Sequence, residues 1–181
     1  MWISRIPVPV EINASAHADD DFSKNKSIAE LTDWNIYSPV WAPVSLEDQW
    51  LKLQDKDPFD YAKVERKIPA SKELKVSFDL KAGQNNKGTL QIEFLDENGI
   101  ACSRIELTDD GIFRLKGGSR FANMMKYEAG KVYHVEAVLS TVDRNIQVYV
   151  DGKRVGLRMF YAPVAAVERI VFRTGVPRTF P

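Results

Sequence analysis

Residues 89–117 read TLQIEFLDENGIACSRIELTDDGIFRLKG, and this stretch decides the fold. Leu90, Ile92 and Phe94 alternate with Gln91 and Glu93, a period of two that puts apolar side chains on one face of a strand and polar ones on the other. Asp96 to Gly99 then supplies turn chemistry into a second strand, and Asp109 to Gly111 turns that strand into a third. The stretch predicts an antiparallel meander. Upstream, ELKVSFDL places Leu74, Val76, Phe78 and Leu80 on one face and Lys75, Ser77 and Asp79 on the other. Downstream, KVYHVEAVL and NIQVYV form a hairpin across Ser140 to Arg144. Asp151-Gly152 makes a two-residue turn into KRVGLRMF, and VERIVFRT closes the series.

About ten short strands at hairpin spacing, each with an apolar face, predict two packed antiparallel sheets: an all-β sandwich or jelly roll. The segment from Phe22 to Trp50 is less regular. SIAELTDW has room for one helical turn, while Ser38-Pro39 and Ala42-Pro43 confine the following residues to extended structure or sheet edges.

Composition narrows the function. A chain of 181 residues buries roughly 70% of its unfolded surface as one domain. Its 25 Lys plus Arg balance 25 Asp plus Glu, so no long-range field gathers nucleic acid or an anionic membrane. No run approaches the roughly 20 apolar residues of a membrane span. The lone cysteine, Cys102, sits in a strand pattern and reads as a small buried hydrophobe. Pro7, Pro9 and Glu11 interrupt any signal-peptide core near the start.

Two resemblances follow from the residues. GKVYHVEAVLSTVDRNIQVYVDGKRV (130–155) is similar to the segment shared by laminin G-like and concanavalin A-like domains. MWISRIPVPV, then DWNIYSPVWAPVSL, LKLQDKDPFDYAKVERKIP and LQIEFLDENG, resembles the C-terminal region of bacterial multidomain enzymes in which a sialidase-like propeller with BNR-type repeats precedes a jelly roll. That second resemblance implies that residues 1–12 are a strand of the preceding propeller, 13–21 a linker and 22–181 the sandwich. It also implies a parent enzyme that degrades glycans outside the cytoplasm, with the propeller as intramolecular partner. An unpaired strand such as WISRIPVPV is a self-association hazard when its partner is missing.

Catalysis in the sandwich lacks the expected pattern. Laminarinase-type hydrolases of this fold carry carboxylates on alternate residues of one strand. Here Glu93 and Asp96 fall on opposite faces, and Asp96 to Gly99 is turn material, as is Glu97. The set Arg104, Arg114, His134 and Tyr149 is the one acid-base cluster to test, with the His134 imidazole as its candidate acid or base. His17 and His134 with one cysteine make no metal cluster.

Glycan binding fits the residues better. Alternation puts Gln91 and Glu93, Arg104 and Glu106, Arg114 and Lys116, His134 and Glu136 on the polar face, with Arg120 in the loop beyond. Arginine–carboxylate pairs grip sugar hydroxyls or a uronate, although mixed charge is also an ordinary solvated face. Trp34, Tyr37, Trp41 and Trp50 offer either a sugar shelf or a plug for the open end of the sandwich. No cofactor is required. Asp55, Asp57 and Asp60 are spaced to ligate a structural calcium, or to cap the amides of a proline-containing turn. Three functions are therefore carried forward: a noncatalytic accessory domain of a glycan-degrading enzyme, an autonomous carbohydrate-binding module, and a hydrolase or lyase with a polar groove.

Overall fold

The computed structural model describes residues 18–175. Two single-turn 3-10 segments, Phe22–Lys24 and Ile28–Glu30, precede thirteen strands: β1 Trp34–Tyr37, β2 Val44–Glu47, β3 Trp50–Leu53, β4 Lys63–Ser71, β5 Glu73–Lys81, β6 Leu90–Leu95, β7 Ala101–Leu107, β8 Ile112–Gly117, β9 Arg120–Lys126, β10 Val132–Ser140, β11 Asn145–Val150, β12 Lys153–Met159 and β13 Val167–Thr174. All pairings are antiparallel. One sheet runs β1-β4-β13-β6-β7-β8-β9, a second runs β12-β11-β10-β5, and β2-β3 forms a separate hairpin. The expected sandwich is present.

The core lies between the sheets. Ile92, Phe94, Ile105, Phe113 and Leu115 from the seven-stranded sheet meet Val135, Ala137, Leu139, Ile146 and Val148 from the other, and all ten are fully buried. Their alternation makes each strand half-buried, and antiparallel sheets tolerate one solvated face. A smaller cluster of Ala42, Val44, Ala62 and Val64 packs under Trp34 and the hairpin. The predicted turns form as read. Asp96 Oδ1 accepts from the amides of Asn98 (2.9 Å) and Ile100 (2.8 Å), and Asp151 and Gly152 both take positive φ, as a type I′ turn requires.

Close approach of the sheets depends on Gly156 in β12. A Cβ there would sit 2.6 Å from Met124 Sδ and 3.1 Å from Leu115 Cδ2. Gly156→Val is therefore expected to cost about 1–3 kcal/mol in urea unfolding through overpacking. Gly83→Ala, which meets nothing within 4 Å, should be close to neutral and serves as its control.

Along one side the sandwich stays open. Strand β5 has no second neighbour among the described residues, and its inward residues Leu74, Val76, Phe78 and Leu80 are only half-buried. A groove of about 2220 Å³ separates it from β4 and the β2-β3 hairpin. Ala18 to Phe22 line this groove, held there by the 2.9 Å Asp20–Arg66 ion pair. Exposed Glu73, Lys75, Asp79 and Lys81 mark β5 as a charged, protected edge. Residues 1–17, including the expected propeller strand, most of the linker and His17, lie outside the described residues.

Candidate functional site

The outer face of the seven-stranded sheet carries two cross-strand rows of side chains. One runs Asn35, Glu65, Val171, Glu93, Arg104, Lys116, Phe121. The next runs Tyr37, Lys63, Arg173, Gln91, Glu106, Arg114, Asn123, and Lys67 and Arg169 pair beyond them. Such opposed residues stand close enough for direct interaction. The charges knit accordingly. Arg104 Nε lies 2.8 Å from Glu93 Oε1, Arg114 Nη2 bonds Glu106 Oε1, and Glu65 receives both Arg169 (2.9 Å) and Lys63 (3.1 Å).

This face is less solvated than an ordinary sheet surface. Gln91 is 1% exposed and Glu106 4%. Gln91 Oε1, Arg114 Nε and Arg169 Nε are buried without a hydrogen-bond partner among the described residues. Polar groups left so in an apolar setting cost free energy. Aromatic rings border the array: Phe121 lies 4.3 Å from the Arg114 guanidinium, Tyr61 lies 4.2 Å from the Arg173 guanidinium, and Tyr161 lies 4.4 Å from the Lys116 ammonium. The loop after β12 brings Tyr161 over the start of β7, its amide bonding the Cys102 carbonyl at 3.0 Å. Burial pushes the Tyr161 hydroxyl up to about 12, against the opposing pull of Arg104.

Of the sequence-derived candidates, Gln91, Glu93, Arg104 and Arg114 share this face, as expected. His134 and Tyr149 do not join them. Strands β10 and β11 belong to the four-stranded sheet, so both side chains project from the opposite side of the sandwich. There His134 Nδ1 lies 2.8 Å from Asp79 Oδ1 and the Tyr149 hydroxyl donates to Gln147 at 3.0 Å. The cluster Arg104, Arg114, His134, Tyr149 is thereby corrected: the four residues never face one groove. Arg120 opens β9, exposed, and alternation directs it away from the side of Phe121.

The tryptophans also separate. Trp34 is half-buried between Phe22 (5.7 Å) and Phe172 (6.5 Å), the plug of the two expectations, whereas Trp41 is 65% exposed in a loop and Trp50 lies under the Lys81 ammonium at 5.6 Å. A shared sugar shelf of Trp34 and Trp41 is not formed. Asp55, Asp57 and Asp60 do not converge either, and no group of three potential ligands capable of holding a metal occurs among the described residues. Their carboxylates bond the turn itself: Asp55 Oδ1 to the Asp57 amide (3.1 Å), Asp57 Oδ1 to the Phe59 amide (2.7 Å), Asp60 Oδ1 to the Tyr61 amide (2.9 Å) and the Tyr37 hydroxyl (3.1 Å). Residues absent from the sequence-based site are Glu65, Arg169, Arg173, Phe121, Tyr61 and Tyr161. Only alternation within β13 hinted at any of them.

Comparison with known proteins decides the family. Residues 34–181 match the family model described as "Sialidase-like, CBM domain". The chain belongs to this family of sialidase-like carbohydrate-binding modules. A solved structure titled "Sialidase" is 88% identical with a TM-score of 0.93, covering 98% of this chain and 16% of that one, so the chain spans about a sixth of the length of that sialidase. An apo Crh5 transglycosylase (12% identity, TM-score 0.71, covering 93% of this chain and 73% of that one) and the carbohydrate recognition domain of Emp47p (11%, 0.57, 85% and 83%) share the fold. No curated protein matches. For this sialidase-like module, no helix among the described residues is long and apolar enough to cross a membrane.

Proposed function

We propose that this module is the noncatalytic companion of a larger glycan-degrading enzyme acting outside the cytoplasm, and that it holds glycan on the outer face of its seven-stranded sheet. One observation carries the placement: the rings of Phe121, Tyr161 and Tyr61 border a single face built of arginine–carboxylate pairs, the residue types that take the apolar and hydroxyl sides of a sugar. Family membership supports the ligand class. A noncatalytic role agrees with the state of the carboxylates on this face. Glu65, Glu93 and Glu106 are each bonded to an arginine, which leaves none free to protonate a glycosidic oxygen while another attacks. The partner domain fits the groove beside β5. Ala18 to Phe22 line it.

A glycan array on the full chain, with and without calcium, tests this reading. Binding is expected, independent of calcium, weakened at least tenfold by Arg114→Ala and unchanged by His134→Ala or Trp41→Ala. A calcium requirement, or dependence on Trp41 in place of Arg114, would move the site to the N-terminal loops. Silence with a folded protein would leave the module a purely structural companion.

A further inference from the structure

Independently of any glycan, we infer that the free edges of β9 and β12 form a docking site for a partner protein, which adds an acidic extended segment to β12 as a further strand of the four-stranded sheet. The backbone leaves room for it. Among the described residues β12 pairs only with β11 and β9 only with β8, and the two edges meet across the sandwich where Gly156 packs on Met124. A cavity of about 150 Å³ opens there, walled by Leu115, Ala122, Met124, Val155 and Gly156. A strand added to β12 turns every second side chain inward, and the cavity has room for one aliphatic group.

Charge names the partner. Strands β9 and β12 carry Arg120, Lys126, Lys153, Arg154 and Arg158 and no carboxylate; all five cations are exposed, and none has an ion-pair partner among the described residues. The opposite sign collects at the far edge of this neutral chain, where residues 18–60, with β1 and the β2-β3 hairpin, hold ten Asp and Glu against four Lys. Cations on an edge deter pairing with a second β12, since like charges would meet. They do not deter an acidic strand. Protection alone needs no single sign, as β5 shows with Glu73, Lys75, Asp79 and Lys81, and it would not leave Leu157 49% and Met159 58% exposed on the outer face of β12. The unpaired amides and carbonyls of β12 and the apolar cavity are what a polypeptide strand uses and a sugar does not.

Fluorescence anisotropy on the full chain tests this with a labelled peptide of alternating Glu and Val, its Lys–Val counterpart, and a Glu–Val version with a central Pro-Pro pair that keeps the charge but breaks strand pairing. The Glu–Val peptide is expected to bind, more weakly as salt rises, and to slow amide hydrogen exchange in β12. The Pro-Pro version should bind about tenfold more weakly and the Lys–Val peptide not at all. Lys153→Glu combined with Arg154→Glu should weaken binding about tenfold with the melting temperature unchanged, whereas Lys75→Glu combined with Lys81→Glu on β5 should leave it as it was. Equal binding of the Pro-Pro version without protection of β12, or tighter binding of a sulfated oligosaccharide through Lys153 and Arg154, would make the edge a polyanion patch and overturn strand addition. Salt-sensitive self-association in place of peptide binding would hand the site to the acidic end of a second copy. No binding of any peptide by a cooperatively melting protein would also overturn the proposal.

Discussion

Phe113→Ala is expected to lower the unfolding free energy by about 3–5 kcal/mol, one of the two largest effects foreseen for a single residue. Phe113 is fully buried on β8, where its ring meets Tyr127 at 5.6 Å and Tyr133 at 5.8 Å, both edge-on. Those tyrosines are themselves tied down: the Tyr127 hydroxyl donates to the Thr108 carbonyl at 2.7 Å, and the Tyr133 hydroxyl accepts from the Glu128 amide at 2.9 Å. Removing the ring leaves a cavity that neither neighbour can fill without breaking its hydrogen bond, so the site collapses poorly and the cost sits at the upper part of the range. Phe113→Leu, which fills most of that volume, should cost about 1–2 kcal/mol. Urea denaturation with an unchanged m-value checks both. A loss below 1 kcal/mol for the alanine variant would place Phe113 outside the packed core.

Why the strands were legible and the site only half so follows from what alternation encodes. A period of two with a Gly- or Asp-containing turn marks a half-buried strand wherever it falls, and β5 to β8 and β10 to β13 announce themselves this way. Strand β4 does not. Its inward residues Val64, Arg66 and Ile68 include a charge, buried because it pairs with Asp20, and Pro69 ends its pattern. The β2-β3 hairpin is equally hidden: Asp48 and Gln49 both take positive φ without a glycine to signal the turn.

For the site, alternation sorts the two faces of each strand but says nothing about which strands are neighbours. The polar residues of β6, β7 and β8 were grouped correctly because hairpins join those strands directly. Those of β10 and β11 were grouped with them wrongly, because the chain crosses to the other sheet after β9. Strand β13 then returns to insert between β4 and β6, which brings Arg169 and Arg173 beside Glu65 and Gln91 from more than 75 residues away. Tyr161 arrives on a loop, where no period exists to read.

Between pH 9 and 12 the fold should lose on the order of 2–4 kcal/mol through Cys102 alone. The thiol is fully buried in the core, and desolvation pushes it up from 9.0 to about 12. Below pH 9 the thiol is protonated in both states and its contribution is complete. As pH rises past 9 the unfolded chain releases the proton while the folded one keeps it, so the unfolded state is favoured progressively until the folded thiol also ionises near 12. Tyr161, raised from 10.0 to about 12 by burial, adds to the loss in the same direction from pH 10 upward, and Tyr127 is raised as well. The decisive quantity is the difference between wild type and a variant without the thiol. Cys102→Ala should lie slightly below the wild type at pH 7, where it has lost a buried sulfur, and should fall less steeply above pH 9, so that the two stability curves converge or cross by pH 11. Parallel curves would mean that water reaches the thiol, and hence that the sheets part at β7 more readily than their packing implies.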